Sequence, residues 1–147
     1  MAALGEVVAM KLYTASSWRN ERYPDIVEEL IYAGHRIYDF RASNHWFKWE
    51  QIDEKWESWN NEQFIKALDH PLSRRAFGSD HRGMEWADVC VLVLPCGKSA
   101  HIEAGYMKGK GKKLYILLGG ETTRAELTYS IADGIFRSTP ELLGVLR

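Results

Sequence analysis

The residues best suited to chemistry gather around one stretch, CGKSAHIEAGYMKGKGK, which spans residues 96–112 and carries Glu103. The stretch follows an apolar run at residues 87–94 and reads as a loop opening into a helix near Ser99. A helix dipole favours an ionised carboxylate in the first turns. A charged carboxylate at a partly dry strand end is a competent nucleophile or base. A solvated helix glutamate fits the same pattern, so residue types alone leave both readings open.

Three further groups could join it. Asp39, within YDFR, stands at the carboxyl end of an expected strand, where a site residue and a turn former fit equally well. Asp88 opens the expected central strand, and on pattern a strand-start cap is the simpler reading. Ser16, Ser17, Arg19 and Asn20 follow the first expected strand and open a helix. Hydroxyls, backbone N–H groups and a guanidinium at such a place make an anion site. Plain N-capping by Ser17 or Asn20 explains everything there except Arg19.

These groups need elements to hold them. Residues 7–13 read as a first strand. Tyr23, Ile26, Val27, Leu30 and Ile31 recur at helical spacing, with Pro24 in the first turn and Gly34 as C-cap. Residues 35–40 read as a second strand and residues 73–87 as a helix. Residues 88–94 are the clearest strand, bounded by Pro95. A helix over 99–112, a strand over 113–118, a short helix over 125–132, a brief strand at 135–136 and a helix over 140–146 complete the chain. Alternating strands and helices predict a doubly wound, mostly parallel five-stranded α/β sheet, Rossmann-like or flavodoxin-like, with helices on both faces. Such a sheet binds its ligand at the carboxyl ends of the strands, where the unusual polar residues lie.

Residues 44–68 stand apart. Trp46, Trp49, Ile52, Trp56, Trp59 and Gln63 fall on one helical face, with charges on the other. Core packing or a subunit interface is the plainer reading of that face, and one or two rings could stack on a flat base.

Composition removes several classes. With 147 residues the chain is expected to form a single domain over 1–147. Its apolar and charged fractions match a water-soluble globular protein, and no run approaches a membrane span. A formal charge of -1 carries no electrostatic footprint for a nucleic acid polymer. The first residues lack the pattern of a signal peptide, and Met10 is a candidate alternative start. Two cysteines, Cys90 and Cys96, imply no disulfides, so a cytoplasmic location is expected. Gly97–Ser99 resembles the end of a phosphate loop, yet Leu92 occupies the position of its first glycine. No dinucleotide-binding glycine pattern follows the first strand, and His101 with Glu103 is too sparse for a metal site.

Taken together, Tyr13, Ser17, Arg19, Asp88 and Glu103 resemble the nucleoside 2-deoxyribosyltransferase family, including its relatives that hydrolyse nucleoside 5'-monophosphates. The likeness runs from KLYTASSWRN to GKKLYILL and is strongest in ADVCVLVLPCGKSAHIEAGYMKGKGK. It implies cleavage of the N-glycosidic bond of a (deoxy)nucleoside or its 5'-monophosphate, by base exchange or hydrolysis, through a covalent glycosyl-glutamate. Glu103 would be the nucleophile, Tyr13 would orient it, and Asp88 would handle the proton on the base. Ser17 and Arg19 would hold a 5'-phosphate. Gly97 stands where the hydrolases carry a phosphate-binding serine, and Ser99 is its candidate substitute. The resemblance implies no metal or organic cofactor and assembly as a homodimer or larger. The alternative is a non-catalytic nucleotide sensor using the same crevice.

Overall fold

The structure, a computed structural model, describes residues 8–42, 46–120 and 122–146. The expected strand start at Val7, residues 44 and 45 of the aromatic segment, and the sequence before Val8 lie outside the described residues. Strand β1 is Lys11–Ala15, followed by α1 (Tyr23–Tyr32) and β2 (Arg36–Tyr38). Helices α2 (Asn61–Leu68) and α3 (Pro71–Trp86) lead to β3 (Val89–Val93). Then come α4 (Lys98–Gly109), β4 (Lys113–Leu117), β5 (Gly134–Phe136) and α5 (Thr139–Leu143).

The strands form one sheet in the order β2-β1-β3-β4-β5, and every neighbouring pair is parallel. This is the flavodoxin-like order of a doubly wound fold. Side chains alternate faces along each strand, and both faces are buried. Leu12, Val89, Val91 and Val93 pack on one side with Tyr23, Ile26, Val27 and Leu30 of α1 and with Leu142 of α5. Tyr13, Ala15, Cys90 and Leu92 point to the other side, against Met84 of α3 and Ala100, Ala104 and Met107 of α4. Gly34, at φ 100°, closes α1 in a conformation that favours glycine. No helix among the described residues is long and apolar enough to cross a membrane.

Three expectations change, the first being the short helix expected over residues 125–132, which is a 3-10 helix at Leu127–Ile131. Strand β1 continues past Tyr13 to Ala15, so Tyr13 lies inside the sheet rather than at its edge. The tryptophan segment is not one amphipathic helix. It forms two 3-10 turns, Trp49–Gln51 and Trp56–Ser58, before α2 begins. Asp53 accepts from Lys55 N–H at 2.9 Å and from the Trp59 indole N–H at 2.8 Å, which favours a turn over a continuous helix. Asn60 then caps α2 in a reciprocal pair with Gln63.

Candidate active site

Register builds the centre of the site. Tyr13 and Tyr38 are paired across β1 and β2, so both rings emerge on the same face of the sheet. They stack with centroids 5.1 Å apart and planes 7° from parallel. The Tyr13 hydroxyl donates to Oε2 of Glu103 on α4. The Tyr38 hydroxyl donates to Oδ1 of Asp80 on α3 at 2.8 Å and lies 3.1 Å from the Ser79 hydroxyl. Gly83, one turn beyond Ser79, leaves room for the Tyr38 ring, because a Cβ there would come within 2.5 Å of it. Two stacked phenols therefore hold two carboxylates, one from each helix on that face.

Burial dominates the electrostatics. Desolvation pushes Glu103 up to about 7, the Tyr13 hydrogen bond opposes the shift, and the Asp80 charge adds to it. The helix dipole expected to favour the ionised form acts weakly here, since Glu103 lies in the second turn of α4. Burial and the neighbouring carboxylates push the Tyr13 phenol far up, so it remains a donor. Burial likewise takes Cys96 up to about 12, with Glu103 contributing, which leaves it a thiol near neutral pH.

Glu103 and Asp80 lie in a cleft of about 530 Å³ at the carboxyl ends of the strands. Ser16, Ser17, Trp18 and Arg19 form one wall, and Gly97, Lys98, Ser99 and Ala100 at the start of α4 form another. The Ser16 hydroxyl donates to the Val93 carbonyl at 2.8 Å, and Asn20 Nδ2 donates to Ser16 Oγ at 3.1 Å, tying the first wall to the end of β3. Arg41 is the keystone of the first wall. Its Nη2 donates to the carbonyls of Ser17, Trp18 and Asn20 at 2.7, 2.8 and 2.8 Å, and its guanidinium packs over Tyr23 and Trp18. Helix α1 starts only at Tyr23, so Ser17 and Asn20 shape a turn rather than cap a helix. The open N-terminus near the cleft belongs to α4, whose N-cap Gly97 supplies no side-chain bond. Arg19, Lys98 and, from the aromatic segment, Lys48 line the same cleft, and among the described residues none is in an ion pair.

The remaining wall is aromatic. Phe40, Phe47, Trp49 and Trp56 line it with Trp18. Trp49 is wedged edge-to-face among Phe47, Trp59 and Phe64, at centroid distances of 5.0, 5.7 and 6.2 Å. Of the tryptophans expected to serve a core or interface, Trp49 and Trp59 pack on one another, and Trp49 and Trp56 line the cleft.

Of the residues singled out in the sequence, Tyr13, Ser17, Arg19, Gly97, Ser99 and Glu103 come together here. Two do not. Asp88 is exposed just before β3, at the opposite end of the sheet, where its N–H donates to the Lys11 carbonyl. Asp39 accepts from the Tyr23 hydroxyl and from Arg41 N–H, both at 2.9 Å, and shapes the turn after β2. The carboxylate that stands near Glu103 is instead Asp80, eight positions before Asp88. The sequence alone did not mark it, since Asp80 is one of several charges in a polar helix and only its contact with Tyr38 singles it out. Among the described residues no group of three or more His, Cys, Asp or Glu could hold a metal ion.

No protein-family model and no curated protein matches the sequence. Solved structures do match. A 2-deoxyribosyltransferase from Bacillus psychrosaccharolyticus superposes with a TM-score of 0.57 at 17% identity, over 90% of this chain and 89% of that one. The CMP N-glycosidase of Clostridium botulinum gives 0.50 at 18% identity, over 92% and 95%. At these identities the likeness establishes a shared fold across nearly the whole chain: a doubly wound, five-stranded parallel α/β sheet.

Proposed function

We propose that the protein cleaves the N-glycosidic bond of a (deoxy)nucleoside or nucleoside 5'-monophosphate by base exchange or hydrolysis, with Glu103 as nucleophile. The observation that carries this reading is the part-buried Tyr13–Glu103 hydrogen bond, whose carboxylate lines the cleft together with Asp80. The two structural neighbours act, by their own descriptions, as a deoxyribosyltransferase and a CMP N-glycosidase, and this chain shares their fold.

The chemistry follows retaining glycoside logic. Glu103 passes its proton to Asp80, attacks the anomeric carbon and forms an ester to the sugar. The C1'–N bond breaks, and its electron pair leaves with the base. Asp80 delivers a proton to the departing base, the role the resemblance first suggested for Asp88. Repulsion between the two carboxylates favours keeping one proton on the pair, which suits a division into nucleophile and acid. Water or a second base, deprotonated by the Asp80 carboxylate, then attacks the same carbon and frees Glu103. Arg19, Lys98, Ser17, Ser99 and the α4 N-terminus suit a 5'-phosphate.

Incubation with a panel of nucleosides and 5'-monophosphates, with and without an acceptor base, tests the reading by chromatography of free base. Release from at least one substrate, lost in Glu103→Gln, is expected. No release from any member, by protein that still binds a nucleotide, would leave only a binding module.

A further inference from the structure

The aromatic wall carries an acceptor that the bond-breaking chemistry does not use. Glu50 sits in the first 3-10 turn of the segment and lines the same cleft as Glu103, next to Trp49. Asp80 accepts from Tyr38 and Glu103 from Tyr13. The Glu50 carboxylate, by contrast, receives no hydrogen bond and no ion pair among the described residues. An ionised carboxylate only accepts hydrogen bonds. Glu50 is exposed at the cleft, so its carboxylate is open to N–H donors of a ligand bound there.

The wall that carries it is preorganised. Trp49 is held by three edge-to-face neighbours, Trp59 is anchored to Asp53, and Lys48 N–H donates to Gln51 Oε1 at 3.0 Å, fixing the turn on which Glu50 rides. Lys48 reaches over Trp18, 6.0 Å from its ring centroid. Rings on such a wall take the face of any base, because stacking tolerates all of them. Discrimination must come from the polar atoms at the base edge.

Resting on the reading of the site given above, we infer that the segment around the two 3-10 turns is the base-reading wall, and that Glu50 selects a guanine-type base. Guanine offers two adjacent donors, N1–H and the 2-amino group, which match the two oxygens of one carboxylate. Hypoxanthine keeps N1–H and lacks the 2-amino group. Adenine and cytosine offer a single amino group, and uracil a single ring N–H. A bidentate, charge-assisted pair of this kind is the strongest base contact a carboxylate makes.

The test compares guanosine and inosine 5'-monophosphates, and their deoxy forms, in wild type and Glu50→Gln. Two readouts are taken: free base released, and quenching of tryptophan fluorescence on titration. The expected result is a preference for guanine over hypoxanthine of about tenfold or more in kcat/KM, collapsing toward unity in Glu50→Gln. Quenching should show the same ordering. Base release with no guanine preference, or a preference unchanged by Glu50→Gln, overturns the inference and leaves the glycosidic chemistry standing. Guanine-selective quenching without release of any base sinks the chemistry and keeps the wall. Neither quenching nor release removes both.

Discussion

Tyr13 and Tyr38 lie face to face, 5.1 Å apart, and their hydroxyls donate to different carboxylates, Glu103 and Asp80. Because the two tyrosines are register partners on adjacent strands, the sheet itself fixes how these carboxylates face the cleft. The two carboxylates hang from long helices and are tied to strand residues, which hold geometry better than loops do.

The protonation of Glu103 sets the pH dependence of the proposed reaction. Its pKa lies at about 7, so below that pH the carboxylate pair holds a proton that passes to Asp80 as Glu103 attacks, and above it the pair has none to give the base. The account predicts that kcat/KM falls as pH rises through about 7. Asp80→Asn removes the acid as well as a charge that raises Glu103, so whatever activity that variant retains should instead rise with pH, through a limb below 7. A pH profile of both proteins checks this.

The same shift appears in stability. The folded state holds the Glu103 proton more tightly than the unfolded chain, whose carboxyl titrates at about 4.5. Stability from this group is present below pH 4.5 and is lost as pH rises to about 7. Glu103→Gln escapes that loss and should be more stable than wild type at pH 8, by on the order of 2–3 kcal/mol. Most of the gap should close by pH 5. Urea melts at the two pH values measure it.

Asp80 and Asp88 make opposite predictions. Asp80→Asn should reduce kcat by about 100-fold or more, the usual scale for a general acid. Asp88→Asn, exposed at the other end of the sheet, should remain near wild type. Steady-state kinetics on the preferred substrate decides between them.

Tyr38→Phe keeps the stack and removes the hydrogen bond to Asp80. It should lower kcat more than it changes KM, and destabilise by about 1 kcal/mol. Gly83→Ala forces a methyl group against the same ring and should cost about 1–3 kcal/mol. Thermal melts and kinetics of the two variants should agree in direction.

Arg41 holds the Ser17–Asn20 turn by three carbonyls. Arg41→Ala should raise KM for a phosphorylated substrate more than it lowers kcat. Arg41→Lys should rescue only partly, since an ammonium lacks the planar fork that stacks over Tyr23 and Trp18. The KM of each variant, measured with and without the 5'-phosphate on the substrate, isolates the effect.

Much of this was legible in the residues. The continuous apolar run before Pro95 gave β3, Pro24 and Gly34 bracketed α1, and the strand-end rule pointed to Tyr13, Ser17, Arg19 and Glu103. What was hidden depended on tertiary contacts. Asp88 sat in the more conspicuous motif, while Asp80 looked like one more charge in a polar helix until Tyr38 was seen to reach it. Arg41 looked like the end of a strand, because its three acceptors are loop carbonyls some twenty residues earlier. The tryptophans matched a helical period, but their rings found each other and Asp53 instead of a helical face.

The central claim is that the Glu103 carboxylate bonds to the sugar. The direct measurement is intact-mass and peptide mapping after incubation with a 2-fluoro analogue of a cleaved substrate, which slows release of the glycosyl group. The account predicts one added glycosyl mass, located on Glu103 and absent from Glu103→Gln. A label on another residue, or undiminished base release by Glu103→Gln, would contradict it.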